Sequence, residues 1–432
     1  MTGWSGLAGL AGLKVGVWGV GVEGSASLRR LAADGVTPYA VVDRASGATP
    51  DGLEMLALDD GGLERLLDCD VVVKSPGISP YDEPATTLAA AGVRLAGGLG
   101  LWLEDAPRDR VACLTGTKGK STATAIAGAL ARGLGQDVFV GGNIGRAPWE
   151  PDAAPADLYL IETSSYQAHD VTTGPRVVAV TSLSQDHLTW HHGYETYVRD
   201  KLSLCTRPGV ETVVAPAADP ELERYADQLG PHVRRVAEVE AAWTDGLGLI
   251  GRHNLRNALL AREVLVALGV PGAEDETALA AAATSYEPLP SRLTRVGRVG
   301  DVEFVDDSLS TNVLPTLAAV DAFPGRRVAL LVGGQDRGID YAPLAEGLAA
   351  YGDRVLVLTL PDNGPRIART IRAIAPIVQV EESTDLASAV RRGHAFAAPD
   401  GVVLLSPAAP SFGVFRDYAE RAEVFTAAMR AL

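Results

Sequence analysis

The sequence predicts an α/β protein of three domains, each built around a mostly parallel sheet. Its 432 residues exceed what one compact core holds, at roughly 150 residues per domain. Apolar residue types make up 47% of the chain and charged types 21%, a balance typical of globular proteins. Short apolar runs alternate with helical segments along the whole length, and this alternation favours parallel strands joined by crossover helices.

Two interruptions of that alternation predict the domain boundaries. A charged, proline-containing stretch, EDAPRDR, closes the first block, and the two prolines of YEPLPSR close the second. We therefore expect domains at residues 1–106, 107–289 and 290–432. The predicted strands are KVGVW, YAVVDR and DVVVKS in the first domain, VACLTGT, DLYLIETS and RVVAVTSL in the second, and DVEFVDDS, RVALLVGG, RVLVLTL and GVVLLSP in the third.

Charge and cysteine content exclude several classes of partner. The 38 Lys and Arg against 54 Asp and Glu give a net charge of −16, which repels nucleic acid but allows a small anion to bind at a local cationic site. No apolar run has the length of a membrane span. The widely spaced Cys69, Cys113 and Cys205 argue against a disulfide scaffold. We expect buried thiols and a cytoplasmic protein without membrane or nucleic-acid partners.

The first strand runs into a glycine turn of the kind that binds nucleotides. Gly19, Gly21 and Gly24 precede the helical segment SASLRRLAADG, and Asp43 follows about 20 residues later, at the spacing of a ribose contact. A purely structural turn explains the same spacing equally well. The turn SPGISP follows another strand of this domain, and strand ends are where open α/β sheets bind ligands.

The stretch CLTGTKGKSTATAIAGAL predicts a phosphate-binding loop. A strand ends at Leu114, glycines expose backbone N–H groups, and Lys120 and Ser121 stand at a helix N-terminus, where they suit phosphate and Mg²⁺. Leu114 occupies the first glycine position of the general G-x-x-x-x-G-K-[ST] pattern. A glycine-rich turn without a ligand is the alternative, but it leaves Lys120 and Ser121 unexplained.

TGTKGKST resembles the TGTNGKST loop of the Mur ligases, the ATP-dependent amide-bond-forming enzymes of peptidoglycan precursor synthesis. The resemblance extends over nearly the whole chain and is closest to the members that add glutamate to UDP-N-acetylmuramoyl-L-alanine. It implies a Rossmann-like UDP-binding domain, a central P-loop ATPase domain and a C-terminal Rossmann-like domain. The other motifs that carry it are IETSSYQ, DHL, GRHNLRN, VDDSLSTN, LLSPAAPSFGVFRDYAERAEVF and the N-terminal glycine turn with SPGI.

The resemblance implies two nucleotide sites. Glu23 is an unusual side chain beside a diphosphate, so we expect its backbone N–H to make the contact. Arg292 lies in LPSRLT, where the family has LPHR-x-E. The implied UDP-sugar residues are Val22, Glu23, Asp43, Ser75, Gly77, Asn143, Ser164 and Gln167. The implied ATP residues are Gly116, Thr117, Lys118, Gly119, Lys120, Ser121, Asn254, Asn257, Arg292 and Asp307.

The resemblance also implies two Mg²⁺ sites and a modified lysine. Ser121 and Glu162 would hold the first ion, and His187 would help to hold the second. Lys201 matches the lysine that family members carry as a carbamate, which converts an ammonium into an anion able to hold a metal. The implied catalytic residues are thus Lys120, Glu162, His187 and Lys201. His191 and His192 match no motif, and we expect both at the surface.

Departures from the family motifs cluster where the amino acid would bind. Leu309 and Arg337 replace Lys, Gly413 replaces Asp, and Tyr418 replaces Phe, whereas Thr311 and Ser411 remain. The implied glutamate-binding residues are Thr311, Arg337, Ser411 and Tyr418. One lysine is thus lost at Leu309, and another is replaced by the guanidinium of Arg337. We therefore expect L-glutamate as acceptor and a separate epimerase acting on the product. Sequence drift within a D-glutamate enzyme is the alternative.

Three rival functions account for parts of the sequence. An oxidoreductase that uses NAD at the glycine turn leaves TGTKGKS and the Glu162, His187 and Lys201 set unexplained. A non-catalytic nucleotide switch leaves the third domain without a role. A folylpolyglutamate synthase shares the central and C-terminal plan, but the additional N-terminal α/β unit and SPGI favour the muramoyl-alanine ligase.

Overall fold

The computed structural model describes residues 6–432 and contains three six-stranded sheets in that range. The chain divides into two compact units. The first comprises the chain up to Leu247 together with Arg256–Tyr286 and holds two of the sheets, and the second comprises Gly248–Leu255 and Glu287–Leu432. The α/β class and the mostly parallel sheets are confirmed. The first five residues of the expected domain at 1–106 lie outside the described residues.

The first sheet has the order β3-β4-β2-β1-β5-β6, with a parallel core and an antiparallel β3 at one edge. Because β1 lies between β2 and β5, the loops after these three strands meet at one edge of the sheet. The elements are β1 Val15–Trp18, α1 Val22–Ala33, β2 Ala40–Asp43, β3 Gly47–Ala48, β4 Glu54–Ala57, α2 Leu63–Leu67, β5 Val71–Lys74, α3 Ala85–Ala90, β6 Arg94–Ala96 and α4 Gly98–Asp105.

The second sheet is parallel throughout, in the order β12-β11-β10-β7-β9-β8, and β7 leads into the glycine loop. Its central strands are fully buried, as apolar runs such as VACLT require. The elements are β7 Val111–Thr115, α5 Lys120–Gly133, β8 Val138–Gly142, β9 Leu158–Glu162, α6 Ser165–Asp170, β10 Val177–Val180, α7 Leu188–His191, α8 Tyr194–Leu202, β11 Thr212–Pro216, α9 Pro220–Arg224, β12 Val233–Val236, α10 Arg252–Leu268 and α11 Glu276–Ala283.

The third sheet lies in the second unit, in the order β13-β14-β18-β15-β16-β17, and β13 alone runs antiparallel within it. The loops after β14, β15 and β18 therefore share one edge. The elements are β13 Thr294–Val299, β14 Val302–Asp306, α12 Val313–Asp321, β15 Val328–Val332, α13 Ala342–Ala349, β16 Val355–Thr359, α14 Gly364–Ile374, β17 Gln379–Glu382, α15 Leu386–Ala397, β18 Val402–Leu405 and α16 Tyr418–Arg430.

Close packing fixes the first glycine turn. A Cβ at Gly24 would stand 1.9 Å from the carbonyl oxygen of Gly19, so α1 approaches the end of β1 more closely than any side chain permits. Gly19 itself has a φ of 87°, which also favours glycine. The glycine spacing of the sequence therefore reflects a geometric requirement of this turn.

The three cysteines are buried and unpaired, as expected from their spacing. They lie in apolar clusters on the two sheets of the first unit. Among the described residues, no helix combines the length and apolar character needed to cross a bilayer.

Candidate active site

The loops after β1, β2 and β5 form a polar edge on the first sheet. Asp43 accepts a 2.6 Å hydrogen bond from the Val20 N–H, and Ser75 donates a 2.6 Å hydrogen bond to the Gly19 carbonyl. Val22 and Gly77 are exposed at the same edge. The side chains of Asp43 and Ser75 thus hold the glycine turn in place, which leaves the first N–H groups of α1 directed out of the helix.

Glu23 lies on the first turn of α1, and its side chain points at the central sheet. Its Oε1 accepts a 2.7 Å hydrogen bond from Gln167 Nε2, while Oε2 is buried without a hydrogen-bond partner. Burial raises the pKa of Glu23 to about 7, a rise that the Gln167 hydrogen bond reduces and Asp170 increases. The expected contact through the backbone N–H of Glu23 does not account for this buried carboxyl.

Gln167 also stabilises the helix on which it lies. The Ser164 hydroxyl accepts from the Gln167 N–H, and Gln167 Oε1 accepts from the Ser164 N–H at 2.8 Å, so the two residues form a capping box at the start of α6. Two of the implied UDP-sugar residues therefore have a local structural role. One carboxamide connects α6 to α1 across the first unit.

The glycine loop after β7 has the shape of a phosphate cradle. Gly116 has a φ of 136° and Gly119 a φ of 88°. A Cβ at Gly116 would stand 2.2 Å from a neighbouring side-chain oxygen, and a Cβ at Gly119 would stand 2.5 Å from another. Lys120 Nζ curls back to donate to the Gly116 and Thr117 carbonyls at 2.9 Å and 3.1 Å. Ser121 begins the buried face of α5 beside it. Backbone N–H groups at this helix start suit anionic oxygens.

Neighbouring side chains fix the remainder of the loop. Thr117 Oγ1 lies 2.6 Å from the Tyr197 hydroxyl, and Lys118 forms an ion pair of 3.1 Å with Asp186. Asn257 is buried, and its carboxamide oxygen lies so close to Gly119 that it would clash with a Cβ there. The first unit thus brings these implied ATP residues together around the loop.

Glu162 ends β9 beside the glycine loop and is 1% exposed. Its Oε1 accepts a 2.6 Å hydrogen bond from Asn143 Nδ2, and its Oε2 is buried without a hydrogen-bond partner. A buried carboxylate oxygen that no donor satisfies is costly in isolation, and a cation would compensate it. This unsatisfied oxygen fits the implied metal site.

Lys201 lies on α8 and is 1% exposed. Its Nζ donates a 2.9 Å hydrogen bond to the Gly116 carbonyl. Burial, and next the positive charge of Lys120, hold the pKa of Lys201 well below its ordinary value. The neutral amine is therefore favoured at this position.

His187 is the N-cap residue of α7 and has a φ of 53°, and Tyr166 lies against its ring with the hydroxyl 2.8 Å from Nδ1. Burial, opposed by Asp186 and reinforced by Lys201 and Lys120, holds the pKa of His187 below its ordinary value, which favours the neutral imidazole that binds metals. Direct contacts bring these residues to one loop: Lys120 and Lys201 both donate to the Gly116 carbonyl, Glu162 pairs with Leu114 at the end of β7, and Asp186, next to His187, forms the ion pair with Lys118.

The second unit contains the other implied nucleotide residues. Asp307 is buried and accepts hydrogen bonds from Ser310 and from Ser406, the latter at 2.8 Å. Burial raises the pKa of Asp307 to about 7. Asn254 is buried and donates a 3.0 Å hydrogen bond to the Ile250 carbonyl. Arg292 is half-buried and lies just before β13.

The implied glutamate residues follow β14, β15 and β18 at one edge of the third sheet. Thr311 and Arg337 are exposed, Ser411 is buried, and Tyr418 begins α16 with 43% exposure. The Arg337 guanidinium lies 5.9 Å from the centre of the Phe412 ring. The loop after β18 thus supplies both a hydroxyl and an aromatic surface.

One buried network escaped the sequence analysis. His191 is fully buried, so its expected surface position is wrong, whereas His192 is exposed as expected. His191 Nδ1 lies 2.8 Å from Asp200 Oδ2 and Nε2 lies 2.9 Å from Ser165 Oγ. The Tyr81 hydroxyl donates to the same Asp200 carboxylate at 2.7 Å. Burial would raise the pKa of Asp200, but the hydrogen bonds from His191 and Tyr81 outweigh it and hold the pKa below its usual value.

The glycine loop, Lys120 and the neighbouring Glu162 carboxylate and His187 imidazole are typical of a nucleotide-binding α/β enzyme. Comparison of the sequence with protein-family models supports this class. Residues 114–245 match the Mur ligase middle domain, and residues 291–409 match the Mur ligase, glutamate ligase domain. The chain belongs to the Mur ligase family, and it is an ATP-dependent amide-bond-forming ligase.

Two curated relatives cover almost the entire chain. A UDP-N-acetylmuramoyl-L-alanine--L-glutamate ligase of Micromonospora sp. is 40% identical over 98% of this chain and 98% of its own length. A protein of the same name from Xanthomonas axonopodis pv. citri is 39% identical over 96% of this chain and 95% of its own.

Solved structures share the fold at low identity. The UDP-N-acetylmuramate-alanine ligase MurC of Thermotoga maritima has a TM-score of 0.57 and 17% identity, over 97% of this chain and 99% of that one. A Mycobacterium tuberculosis folylpolyglutamate synthase has a TM-score of 0.56 and 15% identity, over 84% of this chain and 97% of that one.

The buried network makes a stability prediction for two adjacent histidines. His191→Ala leaves a buried Asp200 carboxylate without one of its partners, so we expect the free energy of unfolding to fall by about 2–4 kcal/mol. The control, His192→Ala, removes an exposed ion pair with Asp82 and should cost less than about 1 kcal/mol. Urea unfolding followed by tryptophan fluorescence measures both changes, and equal losses would contradict the structural role of His191.

Proposed function

We propose that the protein joins L-glutamate to the alanyl carboxylate of UDP-N-acetylmuramoyl-L-alanine, with hydrolysis of ATP to ADP and phosphate, in peptidoglycan precursor synthesis. The observation that carries the proposal is the arrangement of Lys120, Glu162, His187 and Lys201 around one phosphate-type loop. The full-length relatives named for this reaction support the choice of substrate. A nicotinamide oxidoreductase would leave this arrangement without a use.

The domain roles follow from the position of each site. We assign residues 1–106 to the UDP-sugar, 107–289 to ATP and 290–432 to the amino acid. The exposed glycine turn, the edge residues Ser75 and Gly77, and the Asn143 and Gln167 side chains would bind the sugar nucleotide. A cytoplasmic location agrees with ATP as co-substrate.

The P-loop would hold the triphosphate by its backbone N–H groups and by Lys120. The ammonium supplies positive charge where the γ-phosphoryl group is transferred, and positioning with charge stabilisation accounts for most of the catalysis in such transfers. The motif match would also assign Arg292 and Asp307 to the nucleotide, and the planar guanidinium of Arg292 suits phosphate oxygens.

The residues present fit Mg²⁺. Among residues 6–432, no cluster of three or more His, Cys, Asp or Glu side chains could hold a metal alone, so the hydroxyl of Ser121 and a modified Lys201 would complete the sites of Glu162 and His187. When bound, Mg²⁺ neutralises phosphate charge and orients its oxygens. The buried, unsatisfied Glu162 Oε2 is the observation that supports a cation there.

The reaction would proceed in two steps. An oxygen of the alanyl carboxylate attacks the γ-phosphorus, ADP leaves, and an acyl phosphate forms. The glutamate amine then attacks the acyl carbon, and the tetrahedral intermediate collapses with loss of phosphate and a proton. His187, whose ring contacts Tyr166, would orient groups near this centre.

Lys201 would act as a carbamate. A neutral lysine amine adds to CO₂, losing one proton from nitrogen and leaving a carboxylate-like anion at the end of the side chain. Lys201 is buried beside Lys120 and the Gly116 carbonyl, so its carbamate would lie at the P-loop. Its position in the family motif supports the same role.

The amino-acid pocket supports L-glutamate. Gly413 has a φ of 101°, and its missing Cβ would stand 3.2 Å from Asp362, so the loop conformation is built on glycine where the family motif has Asp. Arg337 offers a two-pronged guanidinium for a carboxylate where the motif has Lys. The product would then need an enzyme that inverts its terminal glutamate. D-glutamate as acceptor is the alternative.

Removal of the Lys201 side chain tests the carbamate. We expect Lys201→Ala to lose more than about 99% of ligase turnover and to recover part of it with formate or acetate, because a small carboxylate can occupy the vacated space. Lys201→Arg keeps a cation and leaves no space, so it should stay inactive with either acid. Coupled ADP release measures turnover, and full activity of the alanine variant would contradict the role.

The ratio of kcat/KM for the two glutamate enantiomers tests the stereochemical proposal, since this ratio reports transition-state discrimination. We expect L-glutamate to be preferred. Arg337→Lys should lower kcat/KM for L-glutamate by about 10- to 100-fold through loss of a charged bidentate contact, whereas the exposed Arg369→Lys should not. A preference for D-glutamate would overturn the stereochemistry and leave the ligase assignment intact.

A further inference from the structure

Arg421 on α16 is fully buried although it carries a charge. Its hydrogen-bond partners in the described part of the chain are two backbone carbonyls, that of Ser308 at 2.7 Å from Nη2 and that of Ala409 at 3.2 Å from Nη1. No carboxylate is among them, and Nε is buried without a partner. Burial lowers the pKa of Arg421 to about 10, and Asp306 opposes this effect, so the guanidinium is charged at neutral pH.

Stability alone does not explain a guanidinium at this position. A charged group loses its hydration when it is buried, and an apolar side chain of similar volume often gives an equally stable protein. The guanidinium differs from such a side chain because its planar fork donates to two acceptors in fixed directions. The two carbonyls that Arg421 joins therefore indicate its function.

These carbonyls belong to two loops of the proposed amino-acid pocket. Ser308 lies in the loop after β14, three residues before Thr311, and Ala409 lies in the loop after β18, two residues before Ser411. Strands β14 and β18 are neighbours in the third sheet. One guanidinium thus connects the loops that carry two of the implied glutamate-binding residues.

Ser308 is held from a second side by Asp306, at the end of β14. Asp306 Oδ1 accepts hydrogen bonds from the Ser308 N–H at 3.0 Å and from the Ser308 hydroxyl at 2.6 Å, and Oδ2 accepts from the Ser291 hydroxyl at 2.7 Å. With its carbonyl bound to Arg421, each polar group of Ser308 has a partner. The direction in which this loop leaves β14 is therefore fixed.

The loop after β15 packs against the same guanidinium. A Cβ at Gly334 would stand 2.1 Å from the Pro410 carbonyl oxygen and 3.2 Å from Arg421 Nη1. The Gln335 N–H donates to the Pro410 carbonyl at 2.9 Å. Since Arg337 follows Gly334 by three residues, the position of a third implied glutamate-binding residue also depends on this contact.

The helix that carries Arg421 begins with the fourth implied glutamate-binding residue. Tyr418 is the first residue of α16 and is 43% exposed. Residues three apart on a helix are neighbours on one face. The two hydrogen bonds of Arg421 therefore fix the helix turn on which Tyr418 lies.

We propose that Arg421 is the positioning residue of the amino-acid pocket, because its guanidinium joins the loops after β14 and β18 and supports the loop after β15. The inference rests on the proposed function, since it assigns a role within the proposed glutamate site. Arg421 has no exposed surface, so it acts through these loops and not by contact with the substrate. A dicarboxylate presents two anionic groups and an amine, and its binding depends on the distances among the loops that receive them.

Steady-state kinetics of the full-length protein test the proposal, with each substrate varied in turn and with the glutamate enantiomer that the wild-type protein accepts. Arg421→Lys keeps the charge but lacks the planar fork, and Arg421→Met removes both charge and donors. We expect KM for glutamate to rise about 10- to 100-fold in both variants, with a much smaller change in kcat. KM for ATP and KM for UDP-N-acetylmuramoyl-L-alanine should change by less than about twofold.

Met429→Ala is the matched control on the same helix. Met429 is buried two turns beyond Arg421 and lies against Gly297 of β13, away from the three loops. Shortening it leaves a cavity, so the temperature of thermal unfolding should fall. KM for glutamate should stay at the wild-type value, because a general loss of stability does not move the pocket loops.

Tyr341→Phe provides a milder variant that tests the same loop if the Arg421 variants do not fold. The Tyr341 hydroxyl donates to the Ala408 carbonyl at 3.1 Å, one residue before the carbonyl that Arg421 binds. We expect its removal to raise KM for glutamate by about 2- to 10-fold and to leave KM for ATP unchanged.

The outcomes separate this inference from the proposed function. An unchanged KM for glutamate in folded Arg421→Lys, or in Tyr341→Phe, would overturn the positioning role and leave the ligase assignment intact. The same rise in Met429→Ala, or equal rises in KM for all three substrates, would show a general structural role and overturn it as well. If the wild-type protein accepts neither glutamate enantiomer, the proposed function itself fails.

Discussion

The burial of Lys201 against the Gly116 carbonyl is the constraint on which the nucleotide loop depends. A long amine enclosed by the protein is stable only if its nitrogen is hydrogen bonded or its charge is suppressed, and both conditions hold here. The same carbonyl accepts from Lys120, so two lysine nitrogens converge on one backbone oxygen. Their proximity disfavours two positive charges and contributes to the lowered pKa of Lys201, in keeping with the proposed carbamate.

A set of polar contacts within the first unit connects the first sheet to the second. Glu23 with Gln167, Lys74 with Asp170, and Tyr81 with Asp200 each join an element of the first sheet to one of the second. Asp200 directly precedes Lys201 on α8, so Tyr81 and His191 anchor the helix turn that carries the buried amine. Hydrogen bonds and ion pairs thus join the two sheets of the first unit, in addition to the apolar cluster that they share.

Local patterns in the sequence were sufficient to predict the central strands and the P-loop. Apolar runs predicted the buried strands, and glycines at Gly116 and Gly119 marked the positions where φ is positive. Eight strands were not predicted: β3, β4, β6, β8, β11, β12, β13 and β17. Most of them are short or partly exposed and lack clear alternation, whereas β11 is largely buried and was missed all the same. The bond between Glu23 and Gln167 spans 144 residues and leaves no local signal. His191 was misplaced for a similar reason, since its partner Ser165 lies 26 residues away on α6.

The central claim is that the alanyl carboxylate is activated by phosphoryl transfer at this loop, and isotope transfer tests it most directly. The substrate UDP-N-acetylmuramoyl-L-alanine is prepared with ¹⁸O in both carboxylate oxygens, and the inorganic phosphate formed during ligation is analysed by mass spectrometry. An acyl-phosphate pathway transfers one ¹⁸O atom to each phosphate, because the bridging oxygen leaves with phosphorus. Phosphate without ¹⁸O at full ligation would contradict the account.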